Sequence, residues 1–159
     1  MLNEAELIEK ETTYRQLRID EAALETRRSM ARWLALALGI INPGETRQSA
    51  VAVLDALINY QFVKREDPDI ENLKSYIEAN WESINEKTLR YHLLRFKKMG
   101  LIDNSHGKFY FRLPAAGDRF KPEDVFGGIF EQSYKEFVSR VSTVISELKE
   151  KSKLIGAQQ

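Results

Sequence analysis

The stretch INEKTLRYHLLRFKKMGLI, residues 84–102, decides the fold. Asn85 is a residue type whose side chain closes the start of a helix. Leu89, Leu93 and Phe96 follow at i, i+4 and i+7, one inward stripe of a 3.6-residue period. Gly100 stands where a helix ends, because glycine takes the left-handed conformation without a Cβ clash. With that stripe turned inward, Lys87, Arg90, Tyr91, Leu94 and Lys98 fall on or beside the opposite face. The same stretch is the basic part of the chain: residues 84–100 carry five bases against Glu86, net +4.

Downstream the period changes from 3.6 to 2. Leu101-Ile102-Asp103 predicts a short strand, and Asn104-Ser105-His106-Gly107 supplies turn residues. In Lys108-Phe109-Tyr110-Phe111-Arg112-Leu113 the odd positions are expected to face a core. Lys108, Tyr110 and Arg112 then face solvent or a ligand. Upstream, Thr46 or Ser49 is expected to cap a helix over about 46–60, with Ala50, Val53, Leu54, Leu57 and Ile58 inward. A charged loop at 64–68 leads to Asp69, which is placed to cap a helix over 69–80. Ile70, Leu73, Tyr76 and Ile77 lie on that helix's inner face. Three helices followed by a hairpin is the order of a winged helix-turn-helix.

The quoted stretch resembles the recognition helix of winged helix-turn-helix transcriptional regulators of the ArsR-like type. Thr88, Leu89, His92, Leu93, Phe96, Gly100, Leu101 and Ile102 carry the resemblance, which covers about residues 46–114. It implies that the helix enters the major groove of DNA and that Lys87, Thr88, Arg90 and Tyr91 approach the bases. Arg90 suits guanine, because its fork donates two bonds to O6 and N7. Asn85 or Thr88 suits a phosphate, and Arg95, Lys97 and Lys98 the DNA backbone. Lys108, Tyr110 and Arg112 would form the wing contact. The metal-sensing cysteines of that family have no counterpart, since the chain has no cysteine. His92 fits a packed, hydrogen-bonded residue better than a ligand, and exposed Leu94 fits either a thymine methyl or a protein partner.

Two arms flank this domain, dividing the chain into 1–45, 46–114 and 115–159. The N-terminal arm lacks proline and glycine up to Leu38 and is expected to be helical, with Leu7, Tyr14, Leu17, Leu24, Ala31 and Leu34 roughly on one stripe. Glu21 and Arg28 interrupt that stripe. Its apolar end, residues 33–38, requires burial in its own domain or in a subunit interface. In the C-terminal arm Pro122 suits the first turn of a helix. Phe126, Phe130, Tyr134, Phe137, Val141, Val144 and Leu148 are spaced 4, 4, 3, 4, 3 and 4. Tyr134, Phe137, Val141, Val144 and Leu148 form a heptad-like seam, the expected homodimer interface. Packing across its own domain is the alternative, and Gly127-Gly128 is expected to weaken or kink the helix near its start.

Composition bounds the rest. The 159 residues suffice for one domain with trimmings. The longest apolar run, Trp33 to Ile41, has nine residues, about half a membrane span. The start of the chain is acidic and unlike a signal peptide. A cytoplasmic protein with no membrane partner is the expectation. The 24 basic and 24 acidic residues cancel, which argues against general polyanion binding. Residues 64–83 are acidic and would repel phosphates near the second helix. No phosphate loop, metal-ligand cluster, cofactor motif or nucleophile–base–acid set is legible, so an enzyme is not expected. Two functions remain: a dimeric, sequence-specific regulator of transcription bound to double-stranded DNA, or a winged-helix module binding protein within a larger assembly. Dimerisation would set two reading helices about one DNA turn apart.

Overall fold

A computed structural model describes residues 2–157. In chain order the elements are α1 (Arg27–Ala37), α2 (Ser49–Ile58), α3 (Ile70–Asn80), α4 (Glu86–Lys98), β1 (Ile102–Ser105), β2 (Lys108–Phe111) and α5 (Pro122–Ala157). The chain is mainly helical with one antiparallel hairpin, as its sequence predicts. The last two residues of the expected C-terminal arm and the first of the N-terminal arm lie outside the described residues.

The centre is α2. Every residue from Ala50 to Leu57 is buried, so it has no solvent face and packs against α1, α3, α4 and β2. It runs on into a π-helical turn, Asn59–Lys64, whose Gln61 is 1% exposed. There the Gln61 amide donates to the Arg119 carbonyl at 2.7 Å and accepts from the Phe111 N–H at 2.7 Å. One buried side chain thereby ties the hairpin to the segment leading into α5.

A second buried polar group joins three helices. The Asp55 carboxylate accepts from the Tyr76 hydroxyl at 2.8 Å and from the Trp81 indole N–H at 2.9 Å. Arg27, at the start of α1, lies 3.5 Å from its other oxygen. Burial, then the bond to Asp55, pushes the Tyr76 hydroxyl's pKa far above its ordinary value, keeping it a neutral donor. Arg28 stacks over Trp81 at 4.6 Å, adding a cation–π contact from the same turn.

Three expected caps and stops hold. Asp69 accepts from the Asn72 N–H at 2.8 Å, Asn85 accepts from the Thr88 N–H at 2.8 Å, and Gly100 has φ +80°. Thr46 and Ser49 do not cap: α2 begins at Ser49, and Gln48 at the cap position makes no side-chain bond. The Ser49 hydroxyl instead meets His92 Nε2 at 2.9 Å. Strand β1 starts one residue late and runs through Ser105, so the turn is only His106-Gly107, both at positive φ. That two-residue turn matches the twist of a tight hairpin. Phe111 is buried and Phe109 half-buried, whereas Leu113, expected inward, lies past β2 and is 48% exposed.

The N-terminal arm departs most from expectation. A capping box between Thr26 and Ser29 starts α1 there, and residues 8–20 form no helix. A helix with an interrupted apolar stripe has too little packing to offset its nucleation cost. The chain instead crosses the body as a strap. Arg15 fixes it: its N–H donates to the Ala37 carbonyl at 2.8 Å, and its guanidinium to the Leu36 and Ile41 carbonyls at 2.8 and 2.9 Å. Leu36 and Ala37 are the last residues of α1, where carbonyls lack i+4 helical partners, and Ile41 lies in the turn beyond it. Thr13 passes so close to Gly39 that a Cβ there would stand 2.8 Å from it. The apolar end of the arm packs within its own domain, with Ala31, Ala35 and Leu38 in the core.

Helix α5 is continuous through Gly127-Gly128. Gly128 lets Pro114 approach, since a Cβ would meet Pro114 Cα at 3.3 Å. Val125 and Ile129 enter the core, Phe126 and Phe130 pack at its edge, and from Tyr134 onward the helix leaves the body.

Candidate nucleic-acid interface

Leu89, Leu93 and Phe96 anchor α4 in the core, with none more than 2% exposed. Their burial turns Lys87, Arg90, Tyr91, Leu94 and Lys98 outward, as the spacing predicts. Arg90 pairs with Glu86 at 3.0 Å in an exposed i,i+4 bridge. Such a bridge is worth about 0–1 kcal/mol, so Arg90 is released at little cost. Asn85 is already engaged as the cap of α4, and Thr88 is half-buried behind it.

Two of the expected backbone contacts are committed elsewhere. The Arg95 guanidinium is half-buried and donates to the Ile40 carbonyl, closing the end of the α1 segment. Lys97 donates to Asn104 Oδ1 at 2.7 Å and lies 4.0 Å from Asp103, clamping α4 to β1. Only Lys98 of that trio makes no hydrogen bond or ion pair among the described residues.

The expected wing face also divides. Lys108 is exposed at the hairpin tip. Tyr110 is half-buried under the Arg119 guanidinium at 5.3 Å, and Arg119 in turn pairs with Asp67. Arg112 is exposed but lies toward α5. There, with Lys10 and Arg140, it helps hold the Glu136 carboxyl below its usual range, after the larger effect of the bond from Gln132. Alternation along a strand separates its two faces but does not say which face α5 covers.

Beside the outer face of α4 lies an open cleft of about 1010 Å³, between the loop at 44–47, the start of α2 and the first half of α4. Arg47, Lys87 and Arg95 line it, with Glu45 the single acid, and Thr46, Ser49, Thr88 and Tyr91 add hydroxyls. Because α2 has no side-chain cap, its first N–H groups lack a capping partner and carry partial positive charge. Such a helix end accommodates phosphate oxygens. Sequence alone does not single out Arg47 or this loop, because Thr46 has the composition of a helix cap. Their signal is a lone base two residues before the start of α2. A smaller depression of about 240 Å³ separates α4 from the hairpin, walled by Arg90, Leu94, Lys97, Asn104 and Phe109.

His92 is buried to 8% exposure on the cleft wall, and its Nδ1 has no partner among the described residues. Burial, then the charge of Arg95, lowers its pKa, so the ring stays neutral and packed. Of the acidic residues before and within α3, Asp67 is paired with Arg119 and Asp69 is spent as a cap. Among the described residues no three metal-ligating side chains converge, and no helix is long and apolar enough to cross a membrane. No family model, curated protein or solved structure matches this chain.

Proposed function

We propose that the chain is a dimeric regulator of transcription that binds double-stranded DNA in a sequence-specific way. The observation that carries this reading is the outer face of α4. It presents Lys87, Arg90 and Lys98 on a helix fixed from behind, beside a cleft with Arg47 and an uncapped helix start. A helix of this width fits the major groove. Arg90, freed from Glu86, donates to a guanine, and Lys87 and Arg47 neutralise phosphates. The N–H groups of α2 add a phosphate contact that carries no sequence information. Lys108 is the residue left to act as the wing's contact. The homodimer doubles a modest basic patch, which a neutral chain requires for affinity.

The test is fluorescence anisotropy against a random pool of short duplexes at two salt concentrations, followed by selection of the bound fraction. Salt-sensitive binding that enriches a palindrome supports the proposal. Absence of binding at low salt refutes it.

One observation favours a second reading. Tyr91 and Leu94 are 62% and 52% exposed on the same face of α4. An aromatic and an aliphatic side chain together suit a protein partner, and a module that binds protein needs no net positive charge. Capture of a protein lost on Leu94→Glu, with no duplex binding, would establish that reading instead.

A further inference from the structure

Beyond the body, α5 keeps an apolar face that nothing among the described residues covers. Tyr134, Phe137, Val144 and Leu148 are each more than 60% exposed. The strap reaches as far as the middle of this helix. Lys10 donates to Ser133 at 3.1 Å, Tyr14 meets Phe130 edge-on at 5.9 Å, and Arg140 pairs with Glu9 at 2.9 Å. That last pair is exposed on both sides, 67% and 69%, and is weakly held.

We propose that this face pairs with α5 of a second copy, antiparallel, with the two-fold axis between Ser142 and Thr143. The proposal rests on the dimer of the proposed function and specifies how the two chains run. It is read from the seam's charges. In heptad terms Tyr134, Val141 and Leu148 are a positions, and Phe137, Val144 and Lys151 are d positions. A parallel pair sets each seam residue against its own copy, so Lys151 would face Lys151. It would also leave Arg140 beside Ile145 and Glu147 beside Ser152.

The antiparallel register removes each conflict. Phe137 meets Leu148 of the second copy, and Val141 meets Val144. Lys151 lies over the ring of Tyr134, a cation–π pairing. Along one flank Arg140 opposes Glu147 of the second copy, and the two-fold axis repeats that ion pair. Along the other flank Val138 opposes Ile145, both partly exposed in the single chain. One register thus matches both flanks and the only charged residue in the seam between residues 134 and 148 and its next turn.

The arrangement also sets the bodies at opposite ends of the pair. The two copies of Ile129, the last core residue of α5, lie about 40 Å apart along the axis at 1.5 Å per residue.

The chain has no cysteine, so engineered thiols report the register cleanly. Phe137→Cys and Leu148→Cys are made separately in the full chain, with Ser146→Cys, on the outer face of the helix, as background. Mild oxidation of the mixed Phe137 and Leu148 variants is expected to give a disulfide between the two kinds of chain, and each variant alone only the background level. Self-crosslinking of Phe137→Cys above background would overturn the antiparallel register while leaving the dimer. A single-chain mass by light scattering across the concentration range would overturn the dimer itself, and the register with it. Glu147→Arg is expected to weaken association several-fold, and adding Arg140→Glu to restore it. No rescue by the double variant would contradict the ion pair.

Discussion

Replacement of Asp55 by alanine tests how the three helices around α2 are joined. The carboxylate is 8% exposed, and one of its oxygens accepts from both Tyr76 and Trp81. Alanine leaves two donors buried without an acceptor, at about 1–3 kcal/mol each. The Arg27 contact adds little, since that side chain is 56% exposed and such pairs are worth about 0–1 kcal/mol. The expected loss is therefore about 2–7 kcal/mol, a large share of the roughly 5–15 kcal/mol that holds a typical domain. Asparagine keeps one oxygen for both donors and loses only the charge and the Arg27 contact, so it should cost about 1–2 kcal/mol. Urea unfolding followed by circular dichroism gives both values from the midpoint and slope. An alanine variant within 1 kcal/mol of the natural chain, or an asparagine variant as unstable as alanine, would refute the network's role.

Arg90→Ala should weaken specific duplex binding by about 1–3 kcal/mol and relax one base position; retention of full discrimination in a selection experiment would sink that assignment. Lys87→Ala should reduce the slope of log affinity against log salt by about 0.9 for each subunit bound, whereas Arg95→Ala should lower the melting temperature and leave that slope nearly unchanged. Leu148→Asp should place a charge in the α5 seam and shift the light-scattering mass toward the single chain. His92 has a folded pKa below its unfolded value of about 6.5, so the unfolded chain takes up the proton first. Its contribution to stability is present above about pH 6.5 and is lost as pH falls below that value. His92→Gln should flatten this part of the stability profile, and an equally steep acid loss in the variant would exclude His92 as its source.

The fold was legible where local chemistry and packing point the same way. Asn85, the stripe Leu89-Leu93-Phe96 and Gly100 bound α4 within a residue, because cap, face and stop all lie within one element. The reading faltered where a side chain's partner is distant in sequence. Ser49 has the composition of a cap, but its hydroxyl turns to His92, 43 residues away. Arg95 and Lys97 sit in a basic run that reads as a phosphate-binding edge, yet Ile40 and Asn104 occupy them. The strap shows the same limit: its residues favour helix, but its apolar stripe is interrupted and the carbonyls of Leu36, Ala37 and Ile41 accept from Arg15 in the extended path. The outer face of α4 was readable from its period. The cleft with Arg47 was not, because a fold brings a loop to a helix in a way that no spacing records.

The strap has a consequence for the order in which the molecule assembles. Its Lys10 and Glu9 find their partners 123 and 131 residues further on, at Ser133 and Arg140. Closing so long a loop is entropically costly and slow compared with contacts between neighbouring elements. The strap residues, which precede α1 in the chain, are therefore among the last to settle. They dock onto a body already formed through α1 and α2, and onto α5, which follows them by more than 100 residues. Contacts that form late and lie near solvent also open first, so native-state hydrogen exchange should release the strap before the core.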